Sequence, residues 1–208
     1  MMSRFTPIEL THVQLELECI GVDNGLLVRI PCDDPDDIAR FTIARFIDGY
    51  MAYVRHDVAP HVRDQLRALP PHIAWSDDTM VRTMLTADTK VDVRVWRGRS
   101  YTFQCLPEEH EFPDVVQDGD GFAVVVDNVR VSWAWSSRSN AYAAELAVET
   151  LPAFRRRGYA RQAVLAWAWH QLNQGNIAFY SHALENAASQ ALAAAVGVVH
   201  FMDIVNYE

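Results

Sequence analysis

The chain has 208 residues, half of them apolar, with 18 lysines and arginines against 27 aspartates and glutamates for a formal charge of -9. Such a length buries a sizeable core as one large domain or two small ones, and the negative balance excludes a general affinity for nucleic acid or an anionic membrane surface. Cys19, Cys32 and Cys105 are widely spaced, with no pair two residues apart, and His56 and His61 form no ligand pattern with nearby cysteine or carboxylate. Neither a disulfide framework nor a metal site is therefore expected.

The N-terminus has no apolar core of signal-peptide length, and no stretch reaches the roughly 20 apolar residues that span a bilayer, which predicts a soluble, cytoplasmic protein. Val13, Leu15, Leu17 and Cys19 alternate with polar residues, and Leu26 to Ile30 follow Asn24-Gly25. This pattern predicts a strand pair, with a helical start as the alternative. Asp34-Pro35-Asp36-Asp37 supplies helix-start chemistry, and Ile38, Phe41, Ile47, Tyr50, Met51 and Val54 recur at roughly helical spacing, predicting one helix that ends before Pro60. A second short helix is predicted over 62–69, stopped by Pro70-Pro71. Strands are predicted over 91–96 and 101–106, around a turn at Arg97-Gly98-Arg99.

Between Pro107 and Asp120, glutamate, aspartate and proline crowd together and predict a linker or long loop. Beyond it, 122–126 and 129–135 form a predicted hairpin around Asp127-Asn128, and a turn over 136–140 leads to a strand over 143–150. Pro152 and an arginine-glycine segment follow. Ala160, Ala163, Val164, Trp167, Ala168 and Leu172 then mark one face of a helix stopped by Gly175. A strand over 177–183, a helix over 187–196 capped by Asn186 and ended by Gly197, and a strand over 198–205 close the chain. That strand-helix alternation favours at least one parallel pair with crossover helices.

Chemistry concentrates in Arg155-Arg156-Arg157-Gly158-Tyr159-Ala160, where a strand ends, successive amides are freed and a helix begins: a positively polarised nest for an anion. Gly158 puts no side chain between a pyrophosphate and the backbone, Ala160 is small, and the arginines add charge for phosphate oxygens. Alone, three arginines before a glycine equally describe a solvated turn or a basic patch, and their position after a strand argues for the nest. A dinucleotide fingerprint needs further glycines and a Walker loop needs a Gly-Lys-Ser/Thr ending, both absent here.

Thr150-Leu151-Pro152 followed by Arg155-x-x-Gly158-x-Ala160 resembles the coenzyme-A motif [Q/R]-x-x-G-x-[G/A] of the GNAT superfamily of N-acyltransferases. The later strand leading to Asn186 at a helix start is similar as well, and the resemblance covers about residues 122–208. It implies an α/β (α+β) fold with a mixed, mostly antiparallel central sheet flanked by helices. That core would take up residues 118–208, and residues 1–117 would be an N-terminal extension of helices and strands.

The resemblance further implies acyl transfer from acetyl-CoA, a co-substrate, to the amine of a small molecule by direct attack in a ternary complex. It places the coenzyme on Arg155, Arg156, Arg157, Gly158, Tyr159 and Ala160, with Asn186 and Ser189 nearby, and the pantetheine arm along Ala147, Val148 and Thr150. Glu145, ahead of Glu149, is the candidate base, acting directly or through water. A surface glutamate merely pointing to solvent or pairing with arginine is an equal reading for each.

The tyrosine that the family keeps as general acid is Ala193 here, so that Ser189, Tyr180, His182 and Tyr207 are the substitutes to weigh beside unassisted departure of the thiolate. The tryptophans Trp133, Trp135, Trp167 and Trp169 read first as core, and Trp135 is the one placed to line an acceptor pocket. Two readings without turnover stand beside the enzyme: a coenzyme-binding sensor or regulatory module, and an interaction protein whose arginine segment is an exposed turn. In such proteins an added N-terminal segment shapes the acceptor site or supports a homodimer, and both roles are open for residues 1–117.

Overall fold

A computed structural model describes residues 5–18, 20–30, 38–108 and 112–208. In chain order the elements are α1 (Pro7–Leu17), β1 (Ile20–Asp23), β2 (Leu26–Arg29), β3 (Phe41–Phe46), β4 (Gly49–Arg55), α2 (Pro60–Ala68), α3 (Pro71–Ser76), α4 (Thr79–Thr89) and β5 (Val95–Thr102). There follow β6 (Val115–Asp118), β7 (Gly121–Val126), β8 (Val129–Ser139), β9 (Ala143–Thr150), α5 (Tyr159–Asn173), β10 (Ile177–Ala183), α6 (Ala187–Val196) and β11 (Val199–Tyr207). The fold class is mixed α/β, with mostly antiparallel sheet and flanking helices. Two compact units divide the chain: Pro7–Arg99 with Phe201–Glu208, here the N-terminal unit, and Ser100–His200 with residues 5 and 6, here the motif unit.

In the N-terminal unit β1 pairs β2 antiparallel around Asn24-Gly25, β2 runs parallel to β4, and β3 pairs antiparallel with both β4 and β11. Phe41, Ile43, Val54, Leu66, Leu85 and Tyr207 lie in one core beneath these strands. The helix expected before Pro60 is instead the β3/β4 hairpin; its proposed capping residues Asp34 to Asp37 lie outside the described residues. Ile47, counted as an apolar helix position, is fully exposed at the hairpin tip, and β3 is buried on nearly every residue, so its sequence shows no two-residue alternation. At the N-terminus the helical alternative holds for α1, and the strand pair begins after it.

The short helix expected over 62–69 is α2. The sequence reading leaves α3 and α4 unassigned, and α4 explains why: four threonines weaken its intrinsic preference and only Val81 and Leu85 are buried. β5 runs straight through Arg97-Gly98-Arg99, where a turn between two strands is expected. Gly98 is there because its missing Cβ would lie 2.1 Å from Cη2 of the Trp96 indole, a close-approach reason that sequence does not separate from a turn.

In the motif unit β6, β7, β8 and β9 form an antiparallel run, and β10 joins β9 in parallel. The parallel pair needs a crossover, which α5 supplies. Val164, Trp167 and Ala168 of α5 and Ala193 of α6 pack with Ala144, Leu146, Ala178 and Tyr180 of the sheet in one core, and Trp167 Nε1 donates to Ser136 Oγ at 3.0 Å. The acidic stretch expected as a linker contributes β6, an edge strand that pairs with β7. The turn expected over 136–140 falls later: β8 continues to Ser139, and Asn140 Oδ1 accepts the amides of Tyr142 and Ala143 at 3.0 and 2.9 Å.

Candidate functional site

After β9 ends, Leu151 N donates to Val131 O at 2.9 Å, and Pro152–Phe154 make one short 3-10 turn. Arg155 is extended, Arg156 takes a φ of 62° and Gly158 a φ of 86°, and α5 begins at Tyr159. The first helical bond runs from Gln162 N to Gly158 O at 3.2 Å, and no side chain caps the helix. The amides of Tyr159 and Ala160 therefore open from the mouth of a 15-residue helix, at the positive end of its dipole. A Cβ on Gly158 would meet nothing within 4 Å, so glycine serves the left-handed backbone as well as leaving the mouth clear. Arg155 Nε braces the loop by donating to Thr150 O at 3.3 Å, and the Arg157 guanidinium stands 5.4 Å from the Phe154 ring centroid. Arg155, Arg156, Arg157 and Gly158 are all exposed.

The parallel ladder between β9 and β10 has rungs at Ala143/Ile177, Ala144/Ala178 and Glu145/Phe179, and ends there. Both strands continue, β9 to Thr150 and β10 to Ala183. The other edge of β9 stays paired with β8 as far as Thr150 opposite Ser132. A one-sided opening thus begins beyond Glu145 and leads toward the α5 mouth. Along this stretch Val148 and Thr150 turn their main-chain groups to the opening, Thr150 O already accepting from Arg155 Nε, whereas Ala147, like Leu151, turns its own toward β8.

Side chains along β9 alternate. Ala144, Leu146 and Val148 face α5, which puts Glu145, Ala147 and Glu149 on the opposite face. Trp135 and Trp133, opposite Ala147 and Glu149 on β8, share that face and are half-buried. Glu145 is only 3% exposed, and its carboxylate accepts the Ser181 hydroxyl. A register shift between Ser136 and Arg138 sets Arg138 against Glu145, with Nη1 3.8 Å from Oε2. Glu145 is therefore a buried, held carboxylate and Glu149 an exposed one, a difference that sequence spacing does not carry.

His182 is buried on the other face, among Tyr101 and Tyr180, so the structure does not bring it to Glu145. Its Nδ1 lies 2.9 Å from Ala183 O and its Nε2 3.2 Å from Tyr101 Oη. Tyr180 donates to Ser189 O at 3.3 Å, and burial raises its pKa, the Ser189 bond opposing the rise. Asn186 caps α6 through Oδ1, which accepts Ser189 N at 3.0 Å. Ala193 is buried in the α5–α6 core.

Tyr207 is corrected as an acid candidate. It belongs to the N-terminal unit's core, where its hydroxyl donates to Ala74 O at 3.3 Å and burial pushes its pKa to about 12. Tyr101 escapes the sequence reading because its only signal is a place in a strand; its neighbours come from β10, some 80 positions along the chain.

No family model matches the chain, and no curated protein matches it. Solved structures do. A protein of Novosphingobium aromaticivorans assigned to the GNAT family is 16% identical, with 55% of this chain and 64% of that one covered and a TM-score of 0.44. A GCN5-related N-acetyltransferase-like protein from Streptococcus suis is 11% identical over 81% of this chain and 84% of that one, with a TM-score of 0.47. A GNAT-family acetyltransferase from Colwellia psychrerythraea is 12% identical over 91% and 80%, with a TM-score of 0.46. The chain thus spans less than two thirds of the first of these proteins. Identities of 11 to 16% and TM-scores of 0.44 to 0.47 leave the chemistry of this chain to be argued from its own residues.

Proposed function

We propose that this chain is a cytoplasmic N-acyltransferase that moves an acetyl group from acetyl-CoA to the amine of a small molecule by direct attack in a ternary complex, with residues 118–208 as the coenzyme-binding core. The observation that carries this reading is the end of the β9/β10 ladder at Glu145 and Phe179. An opened parallel pair offers a main-chain edge to an extended amide-bearing arm. The same strand then delivers the chain to a glycine-led, uncapped helix start suited to a pyrophosphate.

In this reading the amides from Arg156 to Ala160 hold the pyrophosphate, with arginine charge around them. The β9 edge at Val148 and Thr150, in the stretch that includes Ala147, pairs with the pantetheine arm and orients the thioester. Glu145, positioned by Ser181 and Arg138, accepts a proton from the incoming ammonium directly or through water, and the exposed Glu149 on the same face draws a cationic acceptor toward it. Trp135 supplies an apolar wall beside Ala147.

Purified protein incubated with acetyl-CoA and a panel of amines should release free thiol, and a Gly158→Glu variant should release much less. Acetyl-CoA binding with no transfer to any amine would make the chain a sensor. The absence of binding would remove both readings.

A further inference from the structure

Because Ala193 stands where a tyrosine acid is expected, the departing sulfur has no assigned proton donor, and the geometry of β10 offers one. Ala183 O is an acceptor only, so His182 Nδ1, 2.9 Å away, carries its hydrogen in either charge state of the ring. The other nitrogen, Nε2, is then committed to Tyr101 Oη at 3.2 Å, and the two rings stack with centroids 5.4 Å apart. As neutral imidazole Nε2 accepts from Tyr101; as imidazolium it donates, which frees the Tyr101 O–H to point elsewhere.

Tyr180 is committed differently, its hydrogen being given to Ser189 O. The titratable side chains facing Tyr101 are His182 and Tyr180 of β10 and His200, whose ring lies edge-on at 5.5 Å. Tyr101 is half-buried, and Tyr180 and His182, whose rings it contacts, are the first and third of β10 past the last rung at Phe179. These two β10 residues border the opening proposed to hold the thioester, and Tyr101 reaches His182 from β5, which lies along the other edge of β10.

We propose that Tyr101 delivers the proton to the departing coenzyme sulfur and that His182, as a positioning residue, resupplies it. This rests on the acyltransferase reading. The amine nitrogen forms its bond to the acyl carbon, the carbon–sulfur bond breaks and its electron pair leaves on sulfur. The Tyr101 hydroxyl hydrogen moves to that sulfur, the Nε2 hydrogen moves to Tyr101 Oη, and His182 is left neutral. The nitrogen loses its surplus proton to base on the Glu145 face, and solvent returns one proton to His182. The products are an amide and a free thiol.

The test compares wild type, Tyr101→Phe and His182→Gln by steady-state kinetics across pH and by calorimetry with acetyl-CoA. Tyr101→Phe should lose about 100-fold in kcat, the low end of what a positioned acid contributes, with the acetyl-CoA Kd unchanged. The alkaline descending limb of kcat in wild type should vanish in His182→Gln. Wild-type kcat in Tyr101→Phe, or a limb that survives in His182→Gln, overturns the assignment while leaving the acyltransferase reading intact. A wild type that transfers to no amine overturns that reading instead. If Tyr101→Phe fails to fold, the pH profile of His182→Gln decides.

Discussion

Glu145 and Phe179 face each other across the last rung of a parallel ladder whose two strands both run on past it. Parallel strands joined by a packed crossover helix ordinarily stay paired, because each lost rung leaves buried main-chain groups without partners. An opening kept at this point is useful only if something else pairs with the freed edge.

Replacing Gly158 separates backbone conformation from space. At a φ of 86° with nothing within 4 Å of a new Cβ, Gly158→Ala meets no clash and carries only the left-handed cost, about 1–2 kcal/mol. Urea denaturation should show that loss, with weaker acetyl-CoA binding in calorimetry. Gly158→Glu adds a carboxylate to the proposed anion nest and should abolish binding.

The two glutamates of β9 should behave unequally. Glu145→Gln removes the proposed proton acceptor, whose carboxylate Ser181 and Arg138 hold, and kcat should fall about 100-fold with little change in acetyl-CoA KM. Glu149→Gln should act mainly on the KM of cationic acceptors and should cost less in kcat. Initial rates with a cationic and a neutral amine separate the two.

In the N-terminal unit Arg40 is buried, pairs with Asp88, and donates through Nη1 to Leu85 O at 3.0 Å and to Thr89 Oγ1 at 3.2 Å. Arg40→Met leaves the Asp88 carboxylate without its guanidinium and should cost about 3–5 kcal/mol in urea unfolding. Pairing it with Asp88→Leu should recover part of that loss.

Burial pushes the Tyr53 and Tyr207 phenols up to about 12, against an ordinary value near 10. Folding thus holds these protons more tightly than the unfolded chain does. Their contribution to stability is complete below about pH 10 and is lost as pH rises toward 12. Thermal melts of the wild type should show that fall, and Tyr53→Phe and Tyr207→Phe should each flatten it.

The parts of the fold legible from sequence are those where one local signal decides. Asn186 and Gly197 bracket α6, Asp127-Asn128 marks the β7/β8 turn, and the apolar run 177–183 has strand length before a capped helix. The hairpin of β3 and β4 is not legible, because a strand buried on both faces loses its alternation and the exposed Ile47 completes a false helical spacing. Gly98 misleads because a glycine under an indole and a glycine in a turn read alike.

At the site, the arginine-glycine segment is visible locally. That Glu145 and His182 face opposite sides of the sheet depends on register, and the Tyr101–His182 contact depends on tertiary packing that no spacing encodes.

The most direct test follows the backbone amides themselves. Titrating acetyl-CoA into isotopically labelled protein and observing amide resonances by NMR should move Arg156 to Ala160 most strongly, with Ala147 and Val148 next. Saturable binding that leaves Gly158, Tyr159 and Ala160 unshifted, or no binding at all, would contradict a coenzyme held at the mouth of α5.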